Sequence, residues 1–522
     1  MSSPERRQSG RSRIPPVRAT RKGQAPVLAF LVLAASCGKA PEGELRVGFG
    51  TSISSLDPHL ENTVSAIEQL GNVYEPLVAL DAEMRARPSL ASSWSNPDPL
   101  TWVFELRPSV VFHDGTPLEV EDVVYSLTRP RGKERLKASS FLATVSEVRA
   151  SGPGAIVVRT RWPNALLLSS LSFVPVVPSG STTGTLATRP NGTGPWVLES
   201  WSPGMALRFR RNERYWGPRP HFARVSVDLA ISDGDARAGF AAGRWDVVRH
   251  GSAGFEELVR QRGTHDVVSY PNIFLRHLAF DVSREETPSC PGIPNPFRKR
   301  EVREAISLAL DRAAIARRAD PHAVAASQLV PPAIFGFDQG APPLAFDPER
   351  ARRLLAEAGL PGGFDVVLHR SGYGAAAEEI CEQLARVGIR VTVRQLPGTE
   401  FFAALDRGEL GFWIVADGCM SGDALEMLLG SFHSPAPEYG AGVDNYGGYR
   451  NPGLDLTIFE ALRQIDPARR LPALQRGLRT ALADVAWVPL YFSRESLVVR
   501  RPLTYRPRAD GLVRLADVGG GD

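Results

Sequence analysis

The chain has 522 residues, 43% of them hydrophobic and 23% charged, a globular composition with length enough for two or three cored domains. Residues 1–36 hold seven of the 61 Lys and Arg and one of the 57 Asp and Glu, so the formal charge of +4 gives way to 54 basic against 56 acidic residues over the remainder. That near-neutral body excludes a nucleic-acid footprint and a polybasic membrane patch.

Residues 1–36 read as an export signal: a long basic stretch, an apolar run over 25–33, and the small residues Ala34-Ala-Ser before Cys37. The run is too short to cross a membrane, which takes about 20 apolar residues. Small residues directly before a cysteine resemble a bacterial lipobox, which implies lipidation of Cys37 and a linker over 37–43. Ala34 stands where that pattern prefers a larger aliphatic residue, and ordinary cleavage near Ser36 is the alternative. After Cys37 come Cys290, Cys381 and Cys419, an odd set that leaves at least one free thiol. Cys381 falls in an apolar helical pattern with Ile380, Leu384 and Val387, while Cys290 and Cys419, in Gly- or Pro-rich segments, are the candidate disulfide pair.

In chain order, 44–49 reads as an opening strand, 51–58 as a hydroxyl-rich turn with Thr51, Ser52 and Ser54, and 65–73 as a helix on Ile67, Leu70 and Val73. Trp102, Phe104 and Leu106 alternate with Thr101, Val103 and Glu105, the period of a strand with one aromatic face. His113-Asp-Gly-Thr-Pro117 is a tight turn in which His113 and Asp114 read as loop formers rather than as metal or acid/base groups. A helix over 119–127 presents Val120, Val123, Val124 and Leu127 on one side. The stretch 155–246 is strand-rich, with strands at 197–200, 207–212 and 225–229 and a helix at 235–241. Its Gly192-Thr-Gly-Pro195 element has neither the Gly-Lys-Ser/Thr ending of a phosphate loop nor the spacing of a dinucleotide fingerprint. From 296 onward amphipathic helices dominate: Val302, Ile306 and Leu310 form a stripe, and a helix over 347–358 stops at Gly359. Buried strands at 366–368, 391–393 and 412–415 alternate with helices as in a second α/β lobe, and 487–492 with 497–500 read as strands returning to the first.

Five signatures follow one another at close spacing: Tyr74-Glu-Pro-Leu-Val78, Pro88-Ser-Leu-Ala-Ser-Ser-Trp94, Thr101-Trp-Val-Phe-Glu-Leu-Arg107, Phe112-His-Asp-Gly-Thr-Pro117 and Asp122-Val-Val-Tyr-Ser-Leu127. After them come Asn191-Gly-Thr-Gly-Pro-Trp196, Arg211-Asn-Glu-Arg-Tyr-Trp216, Gly243-Arg-Trp-Asp246 and Val302-Arg-Glu-Ala-Ile306. The series closely resembles the family 5 extracellular solute-binding proteins of ABC importers, the cluster that binds oligopeptides, dipeptides, nickel complexes and opines. The likeness covers about residues 44–508. It implies an α/β, two-lobed periplasmic-binding-protein fold (type II, cluster C), with a hinge between the lobes and an extra subdomain in the first. The corresponding division is 44–79, 191–281 and 493–522 for lobe I, 80–190 for the subdomain and 282–492 for lobe II.

The resemblance also implies a site. In peptide-binding members an acidic residue after a buried strand holds the amino terminus of the peptide, and Asp417 in Phe412-Trp-Ile-Val-Ala-Asp-Gly418 matches it. The next segment departs: this chain has Gly418-Cys-Met-Ser-Gly-Asp423 where the family often has an aromatic residue and Asp-Pro. Arg370, after another apolar strand, could fork onto a carboxylate, so that the pair would suit a zwitterion. Trp413, Tyr373 and Tyr446 would supply aromatic walls, and Thr51, Ser52 and Ser54 the cleft-facing turn. The implied function is capture of a small solute, foremost an oligopeptide or dipeptide, in an interlobe cleft, with no catalytic residue, cofactor or metal. The implied partners are ABC permease and ATPase subunits and, through Cys37, the periplasmic or cell-surface membrane, for a monomeric protein that binds no nucleic acid. A solute-sensing receptor without import and an exported hydrolase are the alternatives. Against the hydrolase, the chain has no Gly-x-Ser-x-Gly elbow and no His-Glu-x-x-His, and its nine histidines are scattered.

Overall fold

Two long strands, His265–Phe280 and Trp487–Arg500, pair antiparallel and form the middle of the main sheet. The computed structural model describes residues 43–132, 136–249 and 253–520, so the expected leader over 1–36 and Cys37 lie outside the described residues. Among the described residues the main sheet has eleven strands. Its order is Ile389–Gln395, Phe364–Arg370, Phe412–Gly418, His265–Phe280, Trp487–Arg500, Val247–Arg249, Glu44–Phe49, Arg224–Asp228, Ala206–Arg211 and Trp196–Ser202, with Val324–Ala325 pairing beside Trp487–Arg500. The two long strands slip register between Pro271 and Leu275 and again between Arg276 and His277. Such irregularities bend a strand and raise its twist, so the sheet changes direction where one lobe passes into the other.

The apolar residues sort accordingly. Leu45, Val47, Phe49, Val225, Val227, Leu497 and Val499 bury together in the first lobe. Leu278, Phe280, Leu368, Phe412, Ile414, Val488 and Leu490 do so in the second. A third core belongs to a four-stranded antiparallel sheet, in the order Ala91–Asp98, Thr101–Leu106, Ala155–Thr160 and Val145–Ala150. There Trp102 and Phe104 pack with Ile156, Val158, Val123 and Leu127, the aromatic face that the alternation over 101–106 demands. The helix Val120–Thr128 covers it, closed at its N-terminus by the Asp122 carboxylate, which accepts from the Glu119 backbone N–H at 2.8 Å.

The sequence signatures interlock here. Glu75 is buried and its carboxylate accepts from Thr193 Oγ1 (2.8 Å), Tyr215 OH (2.9 Å) and Trp216 Nε1 (2.8 Å), which binds the 74–78 signature to the two that follow 191. A Cβ at Gly192 or Gly194 would stand 2.0 or 2.8 Å from the Val73 carbonyl oxygen, so the close approach of these segments needs glycine at both positions. His113 and Asp114 take the loop-forming roles expected: His113 Nε2 lies 3.0 Å from the Gly194 carbonyl, and Asp114 accepts from Thr116 within a turn where Gly115 has φ +95°.

Three expectations are corrected. The two strands expected to return to the first lobe are one strand, Trp487–Arg500, whose first half pairs with 275–279 in the second lobe. The polar Ser493-Arg-Glu-Ser496 stretch, which reads as a break, stays in extended pairing with Ser269, Tyr270 and Pro271. The helix expected over 65–73 ends at Leu70, where the Asn72 side chain turns back to the Glu68 and Gln69 carbonyls. Cys290 and Cys419 are free, buried thiols in separate cores, so the expected pairing is not formed. Burial pushes the Cys290 thiol up to about 12 and the Cys419 thiol well above its usual value.

Candidate ligand site

Along Phe412–Gly418 the residues Trp413, Val415 and Asp417 share one face, because successive side chains on a strand alternate. Their partners across the ladder are Ala279, His277 and Leu275. Trp487, from the other long strand, stacks on the His277 ring at 3.7 Å between centroids and 16° between planes. The turn over 444–449 closes the space above. It is held by a hydrogen bond from Val282 N–H to the Gly447 carbonyl at 2.9 Å, and a Cβ at Gly447 would stand 2.1 Å from the Phe280 carbonyl oxygen. The result is a cavity of about 170 Å³ lined by His277, Trp413, Asp417, Asp444, Tyr446 and Trp487 among others.

Its electrostatics are one-sided. Asp417 keeps 33% of its side chain exposed, and its Oδ2 lies 3.5 Å from His277 Nε2. Burial, reinforced by the neighbouring Asp444 charge and only partly offset by Arg276, raises the Asp417 carboxyl to about 7. Asp444, on the exposed turn, is raised too, by partial desolvation and by Asp406. His277 is fully buried, which pushes it down to about 3; it is therefore neutral, and neither ring nitrogen has a hydrogen-bond partner. The 3.5 Å approach to Asp417 is thus not an ion pair. No lysine or arginine side chain lines the cavity among the described residues. Two carboxyls share this cavity with Trp413, Tyr446 and Trp487, a combination that can pair with a cation.

The expected site residues separate into three places. Asp417, Trp413 and Tyr446 meet in this cavity. Arg370 does not: it is in register with Ile414, three residues before Asp417, so the pleat directs the two to opposite faces. The expected zwitterion clamp of Asp417 with Arg370 is therefore not assembled. Arg370 Nη1 donates to the Gly372 carbonyl at 2.6 Å, and its Nε is buried without a partner. Tyr373 follows in the left-handed region at φ +56°, its ring 5.3 Å from the Arg276 guanidinium carbon. Thr51, Ser52 and Ser54 are exposed after the strand Glu44–Phe49, and the Ser54 hydroxyl donates to Glu61; none of the three lines the cavity. His277, Asp444 and Trp487 are the residues that sequence reasoning missed. The signal for His277 was a polar pair, Arg276-His277, inside the apolar run 273–280.

Residues 85–438 match the sequence profile described as bacterial extracellular solute-binding proteins, family 5 Middle. The chain belongs to that family. Among family 5 relatives, the glutathione-binding protein GsiB of Escherichia coli O1:K1 is 25% identical over 486 residues, 88% of this chain and 90% of that protein. The ABC transporter-associated periplasmic binding protein DppA of Helicobacter pylori, in complex with the peptide STSA, superposes with a TM-score of 0.78 at 20% identity, over 92% of this chain and 98% of that one. MoaA of A. tumefaciens R10, in complex with mannopinic acid, gives a TM-score of 0.74 at 22% identity, over 92% and 100%. These likenesses show the two-lobed periplasmic-binding-protein fold. No helix among the described residues is long and apolar enough to cross a membrane.

Proposed function

We propose that this family 5 chain captures a solute bearing an ammonium group, foremost the free amino terminus of an oligopeptide or dipeptide, and delivers it without turnover to the permease and ATPase of an ABC importer. The observation that carries the proposal is the cavity of Asp417 and Asp444, aromatic-walled and lacking a cation of its own. An ammonium entering it pairs with Asp417 and displaces the proton that burial favours. The glutathione-binding relative and the peptide-bound neighbour support a peptide-like cargo.

Capture is by closure of the two lobes. In support, they meet at His322 Nε2 with Glu256 Oε2 (2.7 Å), at Ala165 N–H with the Leu462 carbonyl (3.1 Å) and at Arg470 Nη1 with the Ala165 carbonyl (3.2 Å). The separate cores support two lobes and a subdomain, with the boundary expected at 281 moved earlier, since Leu278 and Phe280 pack in the core of the second lobe. Lipidation at Cys37 would hold the protein at the membrane beside its permease.

Calorimetric titration of tetra-alanine and N-acetyl-tetra-alanine tests the amine anchor. Truncating one partner of a buried charge pair costs roughly 2–5 kcal/mol. Asp417→Ala should therefore weaken the free-amino peptide at least thirtyfold and leave the acetylated one nearly unchanged; equal losses reject Asp417 as the anchor.

A further inference from the structure

A second cavity, of about 470 Å³, lies between the antiparallel subdomain and the second lobe. The subdomain contributes Arg131, Ser139, Ser140, Arg161 and Trp162, and the second-lobe turn at 437–440 contributes Tyr439, whose ring meets that of Trp162 edge-on at 5.0 Å. Three of its polar side chains, Arg131, Arg161 and Trp162, can only donate, and the hydroxyls of Ser139, Ser140 and Tyr439 can do either. Trp162 Nε1 is buried with no acceptor, and neither guanidinium has a hydrogen-bond or ion-pair partner among the described residues. No acidic residue is among the described residues that line it.

Elsewhere four buried or half-buried arginines have carboxylates, Arg129 with Asp57, Arg249 with Glu68, Arg470 with Asp423 and Arg508 with Asp510, and the buried Arg303 and Arg312 donate to backbone carbonyls. Arg131 is instead depressed by burial and then by the neighbouring Arg161 charge. Two like charges sharing a cavity repel each other unless an anion lies between them, and guanidinium forks match planar oxyanions in a bidentate manner.

We infer that this cavity is a second binding site, for an oxyanion of the carboxylate or phosphate class, held by the Arg131 and Arg161 guanidiniums and separate from the cavity at Asp417. Its occupant touches both the subdomain and the second lobe. The turn it touches leads directly into Asp444 and Tyr446, so filling the anion site also steadies the wall of the amine-binding cavity.

The test is calorimetric and thermal titration of the whole protein with sodium phosphate and with sodium acetate, ionic strength held constant by sodium chloride. Wild type should bind at least one of the two saturably and melt higher than in matched chloride. An Arg131→Gln/Arg161→Gln double variant, checked for an unchanged melt in chloride, should bind at least tenfold more weakly. Should the double variant fail to fold, Arg161→Gln alone, at an exposed position, should weaken binding at least threefold. No saturable response to either anion, or an undiminished response in the variants, overturns the proposal. Repeating the titration with saturating tetra-alanine identifies the source: an abolished response assigns the site to the carboxylate of the peptide, an unchanged one to a free anion. Asp417→Ala should leave anion binding intact, so failure of the amine anchor is distinguishable from failure of this site.

Discussion

Replacing Asp417 by Asn should separate binding from stability. In the folded protein the carboxyl sits at about 7 against its ordinary 3.8, chiefly through burial. The folded state therefore holds the proton more tightly than the unfolded state, and the associated stability is complete below about pH 4 and lost as the pH rises through 7. For a fully buried group such a rise corresponds to roughly 4 kcal/mol at 1.36 kcal/mol per pH unit. With 33% of the side chain exposed, screening reduces this to about 1–2 kcal/mol. Asn keeps the shape without the charge, so the unliganded variant should melt roughly 1–2 °C above wild type at pH 8 and level with it at pH 4. Binding should move the other way. The carboxylate must be ionised to pair with an ammonium, so wild-type affinity for tetra-alanine should fall about tenfold per pH unit below 7, whereas the weak affinity of the variant should be flat. Scanning calorimetry at both pH values and titration calorimetry from pH 5 to 8 read these effects. Equal destabilisation at pH 4 and 8, or an unchanged pH slope of affinity in the variant, would refute the assignment of a buried, uncompensated carboxylate.

Gly447→Ala should damage the same cavity from its lid. The new methyl would stand 2.1 Å from the Phe280 carbonyl oxygen, so the turn must shift, at about 1–3 kcal/mol. Tetra-alanine affinity should drop at least tenfold with the circular dichroism spectrum unchanged; retained affinity would mean that Asp444 and Tyr446 do not shape the site. Cys290 and Cys419 should resist a thiol reagent in the native protein and react in urea, and a reductant should leave the melting temperature unchanged. A reductant-sensitive melt would instead indicate a disulfide.

Much of the fold was legible because its signals are short-range. Glu44–Phe49 and Thr101–Leu106 carry their own periodicity, and the helix Pro348–Glu357 carries its Asp347 cap, its first-turn proline and Gly359 at φ +82° beyond its end. His265–Phe280 was not legible, since Pro271 and Asn272 interrupt its pattern midway. That interruption is where the two long strands slip register. Half of the site was likewise legible: Asp417, Trp413 and Tyr446 could be named, but His277, Asp444 and Trp487 could not.

The sequence by itself determined family membership, the α/β alternation and the strand that ends in Asp417, all of which rest on patterns spanning a few residues. Tertiary structure alone decided the company Asp417 keeps. Whether two strand residues meet depends on the parity of their register, and the parity here places Arg370 on the opposite face while bringing His277, 140 residues earlier, within 3.5 Å. Burial then raises the carboxyl toward neutrality, and burial exists only once distant segments have packed around it.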